Sequence, residues 1–269
     1  MLLKLVSLTT DFGLKDPYVG QLKAALLTVC PDVVIVDVTH EIEKYNVAMG
    51  GIILASTVRF FPEGSIHVGV VDPGVGGPRR PIIMETERSM FVGPDNGLLA
   101  MAAEQEGIKH VFEITEKRYM RREVSRTFHG RDVFAPVAGH LANGVNPRSV
   151  GKEVKDYTPL RIPRPTVERG LMEAQVLYVD SFGNVVTNVK KTDLEEAGLN
   201  VNDEVKIEVK SKVVKASVKE AYCEAERGKP VLLLGSQGFV EIALREGNAA
   251  TLLKLSSGEK LWVKLKGRS

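Results

Sequence analysis

The stretch His67-Val68-Gly69-Val70-Val71-Asp72-Pro73-Gly74-Val75-Gly76-Gly77-Pro78-Arg79-Arg80 constrains this chain more than any other. Its β-branched run reads as a strand covered on both faces, the situation of a parallel strand inside an α/β sheet. A carboxylate, Asp72, closes the strand at the end where open α/β sheets bind ligands. Asp72 is therefore the first catalytic candidate. Pro73 fixes one backbone angle, while Gly74, Gly76 and Gly77 admit angles or close approaches that a side chain forbids. Such a turn can bring Arg79 back toward Asp72. Taken alone, the same residues also suit a capped loop with solvated arginines.

With 269 residues the chain exceeds one minimal domain, and two are expected. Hydrophobic residues at 43% and charged residues at 26% fit a globular protein with a packed core. A net charge of +2 provides no broad basic face for neutralising phosphates, so nucleic acid is not an expected partner. No apolar stretch approaches membrane-spanning length, which predicts a cytoplasmic protein without a membrane partner. Cys30 and Cys223 are too few for a disulfide framework and lack metal-type spacing. Both read as buried small hydrophobes rather than ligands or nucleophiles.

In chain order, a strand over 3–8 ends at Thr9-Thr10-Asp11-Phe12-Gly13, and an amphipathic helix over 18–29 follows. A strand over 33–38 completes a β-α-β unit. Asp11 at this crossing suits the two hydroxyls of a ribose, and suits a helix cap equally well. A helix over 47–60 leads into the central strand, and short strands are predicted over 82–84 and 89–92. Gly93-Pro94-Asp95-Asn96-Gly97 then turns into a helix over 98–103, with residue types that a tight turn demands on its own account. Ser125-Arg126-Thr127-Phe128-His129-Gly130-Arg131-Asp132 opens a helix over 133–141. Arg131 and Asp132 are read first as partners of each other or as a cap, and His129 gains ligand access from the glycine beside it.

Charged, proline-bearing sequence from 151 to 165 marks the domain boundary, giving an α/β domain over 1–160, a linker over 161–165 and a second domain over 166–269. Strands are predicted over 173–179, 185–189, 204–209, 212–217, 231–234, 240–243 and 260–265. Short, closely spaced strands indicate a small antiparallel barrel or sandwich. Asp180-Ser181-Phe182-Gly183-Asn184 and Leu234-Gly235-Ser236-Gln237-Gly238-Phe239 are its polar turns.

Together these segments resemble the S-adenosyl-L-methionine (SAM) hydrolase family, the SAM hydroxide adenosyltransferases, related to fluorinase and chlorinase. The motifs run in family order: Thr9 to Gly13, Asp72 to Gly76 with Arg79-Arg80, Pro94 to Gly97, Thr127 to Asp132, and Phe182 to Asn184. The resemblance implies a mainly parallel sheet flanked by helices, then an antiparallel β-barrel. It implies a homotrimer whose sites lie between neighbouring subunits. It implies attack of water or hydroxide on C5′ of SAM, giving adenosine and L-methionine with no cofactor or metal. Asp72, Arg79 and His129 would handle the water. Asp11 would hold the ribose, with Tyr45 lining its pocket, and Asp16, Asp180 and Ser236 would face the methionine end. Phe182 and Asn184 would hold the adenine, closed by Asn248 and Ala249, and Asp95, Asn96 and Glu241 complete the substrate-contact set.

Two departures separate the chain from the halogenases. They carry Tyr-Ser where this chain has His129-Gly130, so their serine halide contact is missing, and they carry an insertion after the central strand. Gln237 also stands where they have an arginine on the methionine carboxylate. Two other readings use the same residues: a metal-dependent phosphohydrolase built on Asp11, His40, Asp72, Asp95, Asn96 and His129, and a non-catalytic SAM or adenosine sensor.

Overall fold

The computed structural model describes residues 4–210 and 212–264, so Leu3 and Leu265, at the outer ends of two predicted strands, lie outside the described residues. The chain divides into two compact units, Met1–Arg161 and Ile162–Ser269.

The first unit opens with β1 (Leu5–Thr10), α1 (Tyr18–Val29), β2 (Val34–Thr39), α2 (Val47–Thr57) and β3 (Ile66–Val70). It continues with β4 (Pro81–Thr86), β5 (Met90–Pro94), α3 (Ala100–Gln105), β6 (Ile108–Ile114), α4 (Ala135–Ala142) and β7 (Gly151–Val154). Its sheet has seven strands in the order β2-β1-β3-β5-β4-β6-β7. The site-bearing part, β2, β1, β3 and β5, is parallel, and β4, β6 and β7 extend it antiparallel. The predicted α/β architecture is borne out. All five residues of β3 are buried, as an apolar parallel strand requires.

From β1 the chain passes through α1 to β2 on one side, and from β2 through α2 to β3 on the other. The order therefore reverses between β1 and β3, and their carboxyl ends diverge into a crevice. Thr10 pairs with Val70, so Asp11 and Asp72 leave the sheet at the same edge. One face of the sheet, with Val6, Leu8, Val68 and Val70, packs on Leu22 and Leu26 of α1 and Val137 and Leu141 of α4. The other face meets α2 and α3 at close range: a Cβ on Gly50 of α2 would stand 2.6 Å from Leu98 Cδ1. A side chain there would require the flexible end of Leu98 to shift.

The structure differs from expectation in places where local preference is weak. The helix predicted over 47–60 tightens into a 3₁₀ turn at Val58–Phe60. The helix predicted over 133–141 begins earlier, as a π-helical turn over Gly130–Phe134. Neither β6 nor β7 was expected. β6 carries Lys109, His110 and Glu113 among its apolar residues, and β7 falls in the charged stretch that reads as a boundary.

The second unit contains β8 (Thr166–Glu168), β9 (Leu171–Val179), β10 (Val185–Lys190), α5 (Lys191–Glu196), β11 (Glu204–Val209) and β12 (Lys212–Val218). It ends with β13 (Pro230–Leu234), β14 (Phe239–Leu244), α6 (Ala249–Leu253) and β15 (Lys260–Lys264). Strand order β10-β14-β13-β12-β11-β15-β9-β8 closes on itself through β10–β9 pairing. The predicted barrel is present, antiparallel except for β12 beside β13. Met172, Ile207, Leu232, Ile242 and Leu261 fill it.

Within the first unit's core, His67 is 1% exposed, its ring centroid 5.2 Å from that of Phe61 and 5.1 Å from that of Phe91. Nδ1 lies 2.7 Å from Ser7 Oγ and Nε2 has no partner among the described residues. Burial pushes its pKa from 6.5 to about 4. The unfolded chain then binds a proton at higher pH than the folded one, so stability falls as pH drops from 6.5 toward 4. The full loss, reached below pH 4, is about 3 kcal/mol. Urea unfolding at pH 7 and pH 4.5 should show a Ser7→Ala/His67→Phe variant losing about 2–3 kcal/mol less than wild type over this interval; an identical loss in both proteins would contradict the assignment.

Candidate active site

At the crevice between β1 and β3 the first unit has a cleft of about 540 Å³. Asp11, Asp16, Tyr45, Asp72 and His129, all anticipated from the sequence, line it. Arg79 stands behind them, and its side chain is 10% exposed.

Asp72 and Arg79 meet as the glycine-rich turn suggested. Arg79 Nε lies 3.0 Å from Asp72 Oδ1, and Nη2 donates to Oδ2. The same Nη2 lies 2.8 Å from His129 Nδ1. A guanidinium has no lone pair, so Arg79 is the donor and Nδ1 the acceptor. Neutral His129 must then carry its proton on Nε2. Arg79 Nη1 is buried without a partner among the described residues, and the guanidinium carbon stands 5.3 Å from the Phe134 ring centroid. An unpaired buried donor destabilises by about 1–3 kcal/mol, and such local losses concentrate at functional sites.

Gly76 makes the turn possible. Its φ is +73°, and a Cβ there would stand 2.1 Å from the carbonyl oxygen of Arg126. The turn thus packs directly on the segment leading to His129. That segment is fixed by Asp132, which is fully buried, accepts from Ser125 N at 2.8 Å, and pairs with Arg131 at 2.6 and 2.9 Å. Arg131 and Asp132 are partners of each other, as their adjacency suggested.

Asp11 is held from the α2 side. Tyr45 donates its backbone N–H to Asp11 Oδ2 at 3.0 Å from a left-handed backbone, φ 66°, unusual for a tyrosine. Lys44 Nζ donates to the Asp11 carbonyl. His40, buried beneath, has Nδ1 2.9 Å from Thr10 Oγ1, and its carbonyl accepts from Gly13 N at 2.7 Å.

Asp95 and Asn96 are not on the cleft wall. Asp95 accepts from Arg80 at 2.6 and 2.9 Å and from Thr158 N at 2.7 Å. Asn96 donates to the Val71 carbonyl at 2.8 Å, bracing the backbone that carries Asp72. Phe12, Tyr18, Lys44 and Phe128 also line the cleft, and their roles there are not evident in the sequence. For the two phenylalanines a signal existed, since each adjoins a candidate carboxylate or histidine in its motif.

The second unit carries the remaining residues on β14 and in the turns before β10, before β14 and after β14. Asp180 Oδ1 accepts from Phe182 N at 2.9 Å and Asn184 N at 2.8 Å, and Oδ2 accepts from Asn184 Nδ2 at 2.9 Å. Phe182 is left 77% exposed. Asn248 caps α6 through Thr251 N, while Ala250 N reaches the Gly183 carbonyl and Ala249 is buried. Glu241 lies under the turn that bears the exposed Ser236 and accepts from Tyr222 Oη at 2.6 Å. Burial, and then the charge of Asp180, raises its pKa against the opposing hydrogen bond from Tyr222.

Comparison with known proteins gives the family. Residues 6–151 match the SAM hydroxide adenosyltransferase N-terminal domain and residues 174–262 the C-terminal domain. An (R)-S-adenosyl-L-methionine hydrolase of Methanocaldococcus jannaschii is 36% identical, covering 94% of this chain and 93% of the relative. A fluorinase of Actinoplanes is 26% identical, covering 94% and 95%. The crystal structure of a conserved protein from Thermotoga maritima superposes with a TM-score of 0.87 at 36% identity, covering 97% and 99%. The fold and the cleft define a two-domain α/β and β-barrel protein with a carboxylate, a guanidinium and an imidazole at a switch point. The chain belongs to the SAM hydroxide adenosyltransferase family.

Burial first, and then the Arg79 charge, lowers the His129 pKa below 6.5, against Asp72 and Asp132. Following the ring protons by NMR during a pH titration should place the His129 midpoint below 6.5. In Arg79→Ala the midpoint should move up, because a lowering charge is removed while Asp72 remains. An unchanged or lower midpoint would contradict the contact.

Proposed function

We propose that this protein hydrolyses SAM, in the sulfonium configuration for which its relatives are named, to adenosine and L-methionine. The observation that carries the reading is the Asp72–Arg79–His129 arrangement beside Asp11 in a single cleft. Water attacks ribose C5′ and sulfur leaves as a neutral thioether, so no acid is needed at the leaving group. The difficulty lies with the nucleophile, since bulk water has a pKa near 15.7.

Asp72 takes the water proton, and His129, with its proton on Nε2, donates to the oxygen and orients it. Arg79 acts through both. Its planar fork fixes the carboxylate, and its remaining contact fixes the imidazole tautomer. Asp11 holds the ribose hydroxyls and so aligns C5′ with the oxygen and sulfur, and such alignment can offset several kcal/mol of barrier. As oxygen gains negative charge it approaches a sulfonium, and a dry site strengthens that attraction. No metal is assigned. Among the described residues no three His, Cys, Asp or Glu side chains stand together as a metal set.

The active form in this reading is a homotrimer, with the barrel turns of a neighbouring copy closing each cleft. Asp16, Asp180 and Ser236 then face the methionine end, and Phe182, Asn184, Asn248 and Ala249 the adenine, with Glu241 beneath. An apolar ring as exposed as Phe182 supports this assignment. A cytoplasmic setting fits the free thiols of Cys30, which is buried, and of Cys223, which is exposed where burial was expected, and the absence, among the described residues, of any helix long and apolar enough to cross a membrane.

Incubation with SAM in ¹⁸O-labelled water, after chelator treatment, should give L-methionine and adenosine labelled at the 5′-oxygen. Unlabelled adenosine, or SAM bound without conversion, would contradict the reading. Arg79→Ala should lower kcat by about 10²-fold with KM little changed, as expected for misplaced catalytic groups; a rise confined to KM would make Arg79 a substrate ligand. Asp72→Ala and Asp180→Ala subunits, each inactive, should on exchange regain up to about a quarter of wild-type activity, the share of sites that receive two intact halves in a closed ring. No recovery despite confirmed exchange would place each site within one chain.

A further inference from the structure

Three rings of the cleft wall, Phe12, Tyr18 and Phe128, meet edge to face. Phe12 and Tyr18 centroids are 6.1 Å apart at 61°, Phe12 and Phe128 5.5 Å at 76°, and Tyr18 and Phe128 5.3 Å at 84°. Planes so disposed form the inside corner of a box. Gly130 seals its seam, because a Cβ there would stand 3.1 Å from Phe12 Cζ and 3.4 Å from Phe128 Cε2. Phe12 follows Asp11 and Phe128 precedes His129 in the chain, so the corner adjoins the groups that hold ribose and water.

Neither a ribose nor an amino-acid head requires such a corner, because both are recognised through hydrogen bonds. An onium ion gains from it. Ring faces carry a negative quadrupole that attracts a weakly hydrated cation, and aromatic cages are the usual receptors for such groups. Asp11 and Asp16 on the same wall add to the attraction for positive charge, whereas the charge of Asp72 is met by Arg79 and Lys44 opposes it. Arg131 lies 5.0 Å from the Phe128 centroid, but its bidentate pairing with Asp132 cancels its local charge.

We infer that Phe12, Tyr18 and Phe128 seat the methylsulfonium of the substrate and set the preference for it over a neutral thioether, an inference that rests on reading the cleft as a SAM site. The charge recognised is lost during the reaction. Oxygen supplies the electron pair of the new C5′–O bond while sulfur keeps the pair of the broken C5′–S bond, leaving neutral methionine sulfur. The corner therefore holds substrate more tightly than transition state or products, and it serves affinity and product release rather than rate.

The test compares wild type with Tyr18→Leu, Phe128→Leu and the conservative Tyr18→Phe. The readouts are kcat and KM for SAM, and the inhibition constant of S-adenosylhomocysteine, the neutral thioether. Both leucine variants should raise KM for SAM about tenfold, keep or raise kcat, and leave S-adenosylhomocysteine within about twofold. Tyr18→Phe should behave as wild type. Equal weakening of both compounds, or a fall in kcat at constant KM, overturns the inference. Tyr18 is 46% exposed, so its two variants give an answer even where Phe128→Leu does not fold. Wild-type protein that binds SAM without converting it overturns the hydrolase reading alone; the corner is then judged in the same way from the dissociation constants of the two compounds.

Discussion

The grip of Arg79 on Asp72 and His129 is the interaction on which the site depends. It joins three pieces of chain that otherwise have separate reasons for their positions: the end of β3, the glycine-rich turn and the opening of the π-helical turn before α4. A lysine could pair with the carboxylate, but it lacks the planar fork that fixes a carboxylate and an imidazole at once. The arginine also decides the chemistry available to His129. An imidazole nitrogen that accepts from a guanidinium cannot carry a proton, so the other nitrogen does. This division leaves Asp72 as the proton acceptor in our reading.

The sheet topology places these groups where a ligand can reach them. Because the strand order reverses between β1 and β3, α1 and α2 cover opposite faces and leave the carboxyl edge open. Register then sets Asp11 beside Asp72. Supporting residues do their work one contact further out: Asn96 on the Val71 carbonyl, His40 on the Asp11 loop, and Asp132 on the loop before His129. Each removes a freedom that the reacting side chains would otherwise have.

Much of this was legible in the sequence, and the reasons differ between elements. The helix over 18–29 was read correctly to its ends because its apolar stripe is regular and Pro31 lies just beyond it. Seven of the eight strands of the second sheet were legible because each is an apolar or alternating run bounded by turn residues, whereas β8, three exposed residues beside the prolines of the boundary, was not. β6 and β7 were not, since their polar residues obscure the pattern. The pairing of Asp72 with Arg79 was legible because proline and glycine force a turn whose two ends carry opposite charges, whereas His129 beside them was implied only by the family resemblance. Asp95 and Asn96 were drawn toward the site by their motif, yet their hydrogen bonds tie them to Arg80, Thr158 and Val71. Tyr18 and Lys44 gave no signal, because a cleft wall is assembled from residues whose common feature is position in space. His67 gave none either: nothing in the β3 pattern distinguishes a histidine buried between two phenylalanines from one at a surface.

The central claim is that Arg79 holds His129 as an acceptor at Nδ1. Nitrogen-15 NMR of the imidazole near pH 7.5 tests it most directly, because protonated and unprotonated ring nitrogens resonate far apart. The account predicts a neutral ring with its proton on Nε2. A proton on Nδ1 would mean that Arg79 does not donate there, and the proposed roles of His129 and Asp72 would have to be exchanged.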